Sequence, residues 1–166
     1  MAELVFRRLA HQDARRAADI VSAGDRTYAE VIKGWQQTPY EQDLEEWRRV
    51  LADPARWNIG AATPQGEVLG VLSMHPVRDD PGTGHLSALF VDPRHRGTGV
   101  GASLLARCER EWGRRGMTKG HLWTPRGAPA EHFYAHMGWR RDGTIHWLEW
   151  ANMHVVGFVK PLAGGR

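Results

Sequence analysis

Apolar residues along this chain keep changing their spacing, and each change marks an element. Leu4 to Leu9 reads as a first strand, after which His11-Gln12-Asp13 offers a helix start. Ala14, Ala17, Ala18 and Val21 then recur at helical spacing, with Gly24 as a stop. Tyr28, Val31, Ile32 and Trp35 form a second helical stripe, interrupted by Thr38-Pro39. Leu44, Trp47 and Leu51 form a third, ending before Asp53-Pro54. Strands are expected at Trp57 to Ala62 and Glu67 to His75, joined by the turn Thr63-Pro64-Gln65-Gly66. Another is expected at His85 to Val91, beyond a loop containing Asp79-Asp80-Pro81-Gly82. From Gly99 to Arg115, Leu104, Leu105, Cys108 and Trp112 face one way and charged residues the other, up to a stop at Gly116. A short strand, Gly120 to Thr124, leads to a helix from about Pro129 to Met137, closed by Gly138. The segment from Trp139 to Val159 holds two more strand-like runs around a Trp-rich stretch. Helices precede, interrupt and follow the strands, so the expected class is mixed α/β.

Composition narrows the function. A length of 166 residues, 42% hydrophobic and 25% charged, suits one globular domain spanning 1–166. No apolar run approaches the roughly 18 residues of a membrane span, and the N-terminus lacks a secretory pattern. A soluble, cytoplasmic protein is the simplest expectation. The single cysteine, Cys108, excludes an internal disulfide and any multi-cysteine metal site. The net charge of +3 comes with scattered arginines, not the dense basic stripe of a nucleic-acid binder. A phosphorylated small ligand suits such a balance better; no nucleic-acid, membrane or metal partner is expected, and a homodimer is left open.

The chemistry concentrates in Leu89-Phe90-Val91-Asp92-Pro93-Arg94-His95-Arg96-Gly97-Thr98-Gly99-Val100-Gly101. A strand ends, a loop turns, and glycines lead into an amphipathic helix. Without a Cβ, successive N–H groups can converge on one point, and the helix start adds unpaired donors and the positive end of its dipole. Such a place binds pyrophosphate. A Walker loop would need a lysine followed by Ser or Thr, which is missing. A Rossmann fingerprint forced from Gly97, Gly99 and Ala102 lacks the acid expected at the next strand end. A purely structural glycine turn remains the plain alternative.

Arg96-Gly97-Thr98-Gly99-Val100-Gly101, after a strand ending Val91-Asp92-Pro93, resembles the pyrophosphate loop of the GNAT N-acetyltransferase superfamily. Phe133-Tyr134-Ala135-His136-Met137-Gly138-Trp139 resembles that family's second cofactor motif at the expected distance. The two motifs cover roughly the last half of the chain. The resemblance implies a mostly antiparallel mixed sheet splayed at its centre, with acetyl-CoA in the split and its pantetheine arm along Leu89-Phe90-Val91. One departure is Gly127, where the family often has an asparagine.

The resemblance further implies acetyl transfer from acetyl-CoA to a primary amine of a small molecule or peptide. Three things are then required: a neutral amine, a donor to the tetrahedral oxyanion, and a proton for the departing thiolate. A backbone N–H near Phe90 or Val91 is the expected oxyanion donor. Tyr134 is the candidate acid, although Ala130, Phe133, Tyr134 and Met137 also sit at core spacing. His85 is the candidate base. Strict alternation puts it on one strand face with Ser87, Leu89 and Val91, and its alternatives are a solvent-facing or core histidine. Its rivals are His75, Glu41, Glu45, Glu46 and ordered water. Tyr28, Trp35, Tyr40 and Trp47 with nearby acids, and Trp147, Glu149 and Trp150, are the expected acceptor groups. An acyl-CoA sensor without turnover is the competing function.

Overall fold

The computed structural model describes residues 3–163. Strands β1 (Val5–Arg8), β2 (Trp57–Ala62), β3 (Val68–Val77) and β4 (Asp80–Val91) pair antiparallel in sequence order. Strands β5 (Lys119–Pro125), β6 (Arg140–Leu148) and β7 (Met153–Pro161) form a second antiparallel group with β7 in the middle. One parallel contact joins the groups into a seven-stranded sheet, β1-β2-β3-β4-β5-β7-β6. It holds at four rungs only, from Thr83–Lys119 to Leu86–Leu122. Beyond them β4 continues to Val91 on β3, and β5 continues to Pro125 on β7. The sheet therefore forks, and the mixed α/β architecture expected from the resemblance is present.

Helices cover both faces. On one, α3 (Val100–Arg114) buries Leu104, Leu105, Cys108 and Trp112 against Leu72, Met74, Leu86, Leu122 and Phe158. Strand glycines make this possible: a Cβ on Gly84 would lie 2.2 Å from Trp112 Nε1, and one on Gly120 2.8 Å from Trp112 Cζ3. On the other face, α1 (Ala14–Tyr28) and α2 (Tyr40–Ala52) bury Ala17, Ala18, Ile20, Leu44, Trp47 and Val50 against Val71. The short α4 (Ala130–His136) returns to the first face through Tyr134.

Three expectations fail for physical reasons. Gly24 does not stop α1, because the helix needs a residue without a side chain there; a Cβ would meet Phe90 at 3.0 Å. The Tyr28 to Trp35 stripe is not a second helix but a run of turns, held by Trp35 packing on Tyr28 at 4.7 Å between ring centroids. The Asp79 to Gly82 loop shrinks because β4 begins at Asp80. Pro81 is tolerated there because it falls in a register shift of the β3–β4 ladder, between the Val77–Asp80 and Pro76–Gly84 rungs.

Candidate active site

Where the strands part, β4 turns an unpaired edge toward a cleft of about 440 Å³. Its walls come from Gly24, Thr27 and Tyr28 of α1, from Leu89, Phe90 and Val91, from the loop and first turn of α3, and from Phe133 and Tyr134 of α4. Of the nine expected cofactor residues, Leu89, Phe90, Val91, Arg96, Gly97, Gly99, Val100 and Gly101 line it. Thr98 does not; its hydroxyl donates to the His95 carbonyl.

The loop is built for N–H groups to converge. Gly97 and Gly99 take φ of 73° and 89°, left-handed values that a side chain would strain, and Gly99 caps α3. Asp92 anchors the loop by accepting from the Arg94 N–H at 3.0 Å and from the Arg16 guanidinium at 2.8 Å. Hydrogen bonds from Arg94 outweigh the opposing effect of burial, and Arg16 adds to them, so the carboxyl is held well below the usual range. Arg96 bridges to Thr27 Oγ1 at 2.9 Å, closing the loop against α1. His95, Thr27 and Phe133 line the cleft although the loop pattern did not single them out as cofactor residues. His95 Nδ1 is buried without a partner, and its position between two arginines was the available signal.

Backbone polarity decides which N–H groups face the cleft. Asp92 N–H donates to the Leu69 carbonyl of the β3 side at 2.8 Å. Donors alternate along a strand, so Phe90 N–H also faces β3 while those of Leu89 and Val91 face the fork. Of the two expected donors, Val91 therefore stays available and Phe90 does not. Leu89 joins it.

Tyr134 lines the cleft and is 7% exposed. Burial, reinforced by Tyr28 and Cys108, pushes its phenol well above the ordinary value, so it keeps its proton at any working pH. The single cysteine is fully buried on α3 and does not line the cleft, and burial pushes its thiol up.

His85 sits on the last rung but one before the fork, outside the cleft lining. Strict alternation does not hold around it. Ser73 pairs with Ala88 and Met74 with Leu86, so Ser87 is an unpaired bulge residue. Gly84 and Leu86 consequently face α3 together with Leu89 and Val91, while His85 shares the other face with Ala88 and Phe90. Arg56 holds the bulge by donating to Ser87 Oγ at 2.7 Å. Burial lowers the His85 pKa to about 4, helped by His121, His75 and Arg56, so the ring is neutral at physiological pH. His75 lies next to it, 5.2 Å between centroids, with Nδ1 against the Pro76 carbonyl at 2.8 Å.

Glu41, Glu45 and Glu46 are exposed on α2 and do not line the cleft; Glu46 pairs with Arg49 instead. The acid of that segment that turns inward is Asp43, raised to about 6 by burial and by Asp25. The aromatic residues expected for the acceptor separate: Trp47 and Tyr40 belong to the core under α1 and α2, and Trp35 turns toward the C-terminal strands. Trp35 packs against Ala151, Met153 and Val155, with Trp123 and Leu148 on the same cluster. Trp147 and Trp150 remain exposed beside it.

Among the described residues, no cluster of His, Cys, Asp and Glu is arranged to hold a metal ion, and no helix is long and apolar enough to cross a membrane. A forked sheet with an open strand edge and a glycine loop at a helix start is the architecture of acyl-CoA-dependent acyltransferases. Residues 19–139 match the Acetyltransferase (GNAT) family, and the chain belongs to that family. It is accordingly an N-acetyltransferase with acetyl-CoA as co-substrate, acting on an amine. Solved structures agree in fold. A GCN5-related N-acetyltransferase from Rhodopseudomonas palustris superposes with a TM-score of 0.80 at 22% identity, covering 98% of each chain. The PaiA N-acetyltransferase of Thermoplasma acidophilum, in complex with coenzyme A, gives 0.71 at 17% identity over 96% of this chain and 99% of that one. The spermidine/spermine N-acetyltransferase SpeG of Vibrio cholerae gives 0.70 at 17% identity over 98% and 97%. No curated protein sequence matches significantly.

Proposed function

We propose that the protein moves an acetyl group from acetyl-CoA directly to a primary amine, with Tyr134 as general acid and His85 as general base. The observation that carries this is Tyr134: a buried phenol on the cleft wall that keeps its proton. A neutral hydroxyl there can donate to the negative charge that develops on the departing sulfur. Direct attack is supported by Cys108, whose burial outside the cleft lining removes the obvious side-chain nucleophile.

The chemistry then runs in order. The N–H groups of α3's first turn and Arg96 receive the pyrophosphate, and the free edge of β4 receives the amides of the pantetheine arm. The amine gives its proton to His85 through water and attacks the thioester carbon. The oxyanion is held by the N–H of Leu89 or Val91. Carbon–sulfur cleavage follows, Tyr134 gives its proton to sulfur, and the second proton that the nitrogen sheds in becoming an amide restores the phenol.

For the acceptor, Trp35 with the inward-facing Asp25 and Asp43, and the exposed Trp147 and Trp150, favour a cationic amine carrying an apolar body. Polyamines, the substrates of the SpeG relative, meet the charge requirement. A screen of amines with thiol detection tests the proposal. Amine-dependent release of CoA with N-acetyl product is the expected result. Tight acetyl-CoA binding without turnover on any amine class would replace it with the sensor reading.

A further inference from the structure

His85 is the middle ring of a histidine row that crosses three strands, and its partner on β5 has no role in the steps above. The β4–β5 rung pairs His85 with His121. Their rings stack at 5.2 Å between centroids and 27° between planes, and the two Nδ1 atoms stand 3.0 Å apart. Two imidazole nitrogens at that separation share one hydrogen: one ring donates and the other accepts. The far side of His121 decides which. Its Nε2 faces Asp142 Oδ2 at 3.7 Å. Burial works to raise the Asp142 carboxyl, but hydrogen bonds from the Thr144 hydroxyl and N–H, with His121, prevail and hold it below its ordinary value. That separation is longer than a direct hydrogen bond, so the carboxylate acts by its charge or through water; either way it favours a hydrogen on His121 Nε2, which leaves Nδ1 bare toward His85. His85 therefore carries its hydrogen on Nδ1, which leaves Nε2 as its basic nitrogen.

The sequence makes room for this line. Gly157 of β7 pairs with Trp123, two residues beyond His121 on the same face. A Cβ on Gly157 would come within 2.6 Å of Asp142 Oδ1 and 2.7 Å of Oδ2. The Thr144 hydroxyl, nearer still, and the carboxylate it donates to together occupy the space that any other residue would fill.

We propose that His85, His121 and Asp142 form a proton relay leading from the fork to the β6 edge. A proton arriving at His85 Nε2 is matched by one leaving its Nδ1 for His121 Nδ1, and by one leaving His121 Nε2 for Asp142 or water beside it. No net charge then resides on either ring once transfer is complete; the rings end as their opposite neutral tautomers and reset by exchange with solvent. The relay answers a difficulty in the base assignment, on which it rests. Burial, His121, His75 and Arg56 all oppose a positive charge on His85. At His121, burial, Lys119 and His146 also oppose it, but Asp142 favours it. A route that moves charge toward Asp142 lets a weak base act without storing the proton.

The test combines a spectrum with a set of variants. Imidazole nitrogen NMR of the untreated protein at neutral pH should show hydrogen on Nδ1 of His85 and on Nε2 of His121; the opposite tautomers would overturn the relay, whatever the kinetics. The decisive variant is His121→Asn, whose side-chain carbonyl can accept from His85 Nδ1–H but cannot take the proton. Its kcat should fall on the order of 10²-fold with the KM for acetyl-CoA unchanged. A normal kcat there, beside an impaired His85→Gln, would show that His121 only positions His85 and would end the relay. An unimpaired His85→Gln would remove the base assignment itself, and the relay with it. Asp142→Asn and Gly157→Ala should resemble each other, because the second displaces the carboxylate that the first neutralises; normal turnover in both, with the fold intact, would overturn the Asp142 step.

Discussion

The Arg16 guanidinium donates to Asp92 Oδ2 at 2.8 Å, tying α1 to the loop that follows β4 across 76 positions of sequence. The same carboxylate accepts from Arg94, so one buried acid fixes both the helix and the cofactor loop. Asp92→Ala should cost on the order of 2 kcal/mol. Because its folded-state pKa is depressed, its contribution is full above the ordinary carboxylate value of about 4 and is lost progressively as pH falls from there toward the depressed folded-state value. Urea unfolding from pH 7 to pH 3 should show the native protein losing its advantage over Asp92→Ala as acid is added. A constant difference would contradict the linkage.

Acetyl-CoA should raise the melting temperature, as any ligand selective for the folded state does. Gly99→Glu should abolish that rise, because it strains a φ of 89° and places negative charge at the phosphate site. Undiminished stabilisation in this variant would remove the loop assignment.

Tyr134→Phe keeps the ring and its packing against Phe158 and Trp139 while losing the hydroxyl. Folding and CoA binding should change little, and turnover should fall roughly 10²- to 10⁴-fold. A loss below threefold would reduce Tyr134 to packing.

An unperturbed histidine base would give a lower limb in the kcat/KM profile near 6.5. His85 should instead place that limb near 4, because burial, with His121, His75 and Arg56 opposing a second positive charge, favours the neutral ring. Activity should therefore stay flat, as far as this group is concerned, between pH 5 and 7. The acceptor amine contributes its own ionisation at higher pH, separable by comparing two amines of different pKa. A limb at 6.5 that vanishes in His85→Gln would show a more solvated ring than the structure has.

Gly84→Ala is the sharpest packing test. Its Cβ would overlap the Trp112 indole at 2.2 to 2.6 Å, in a core where Trp112 has no exposed surface. A loss of about 1–3 kcal/mol or failure to fold is expected; a neutral effect in thermal denaturation would mean that α3 shifts freely on the sheet.

The fold was most readable where chemistry and periodicity agree. The α3 stripe, Leu104-Leu105-Cys108-Trp112, is one face of a helix in sequence and in space, and the loop before it carries its glycines where positive φ occurs. Tyr134 was reached through its motif, since spacing alone cannot tell a cleft phenol from a core aromatic. Elements shaped by distant partners were not readable. Gly24 continues a helix because Phe90, far along the chain, needs the space. The Ser87 bulge arises from the register of β4 on β3, so the face of His85 could not follow from counting residues. The His85–His121 contact needs a parallel pairing that neither local segment encodes.

Four rungs of parallel pairing leave β4 with something unusual: a free strand edge in the interior of a sheet. An ordinary free edge sits at the margin of a molecule, where another protein's strand can add to it and start aggregation. Here β1 and β6 occupy the margins, and the free edge lies within a slot walled by α1 and α4. A folded neighbour is too wide to enter. A slender chain of alternating amides and methylenes is not, and the pantetheine arm is such a chain. Under the proposed function, the fork would act as a size filter for hydrogen-bonding partners, presenting the adhesiveness of a bare strand to small molecules while withholding it from proteins.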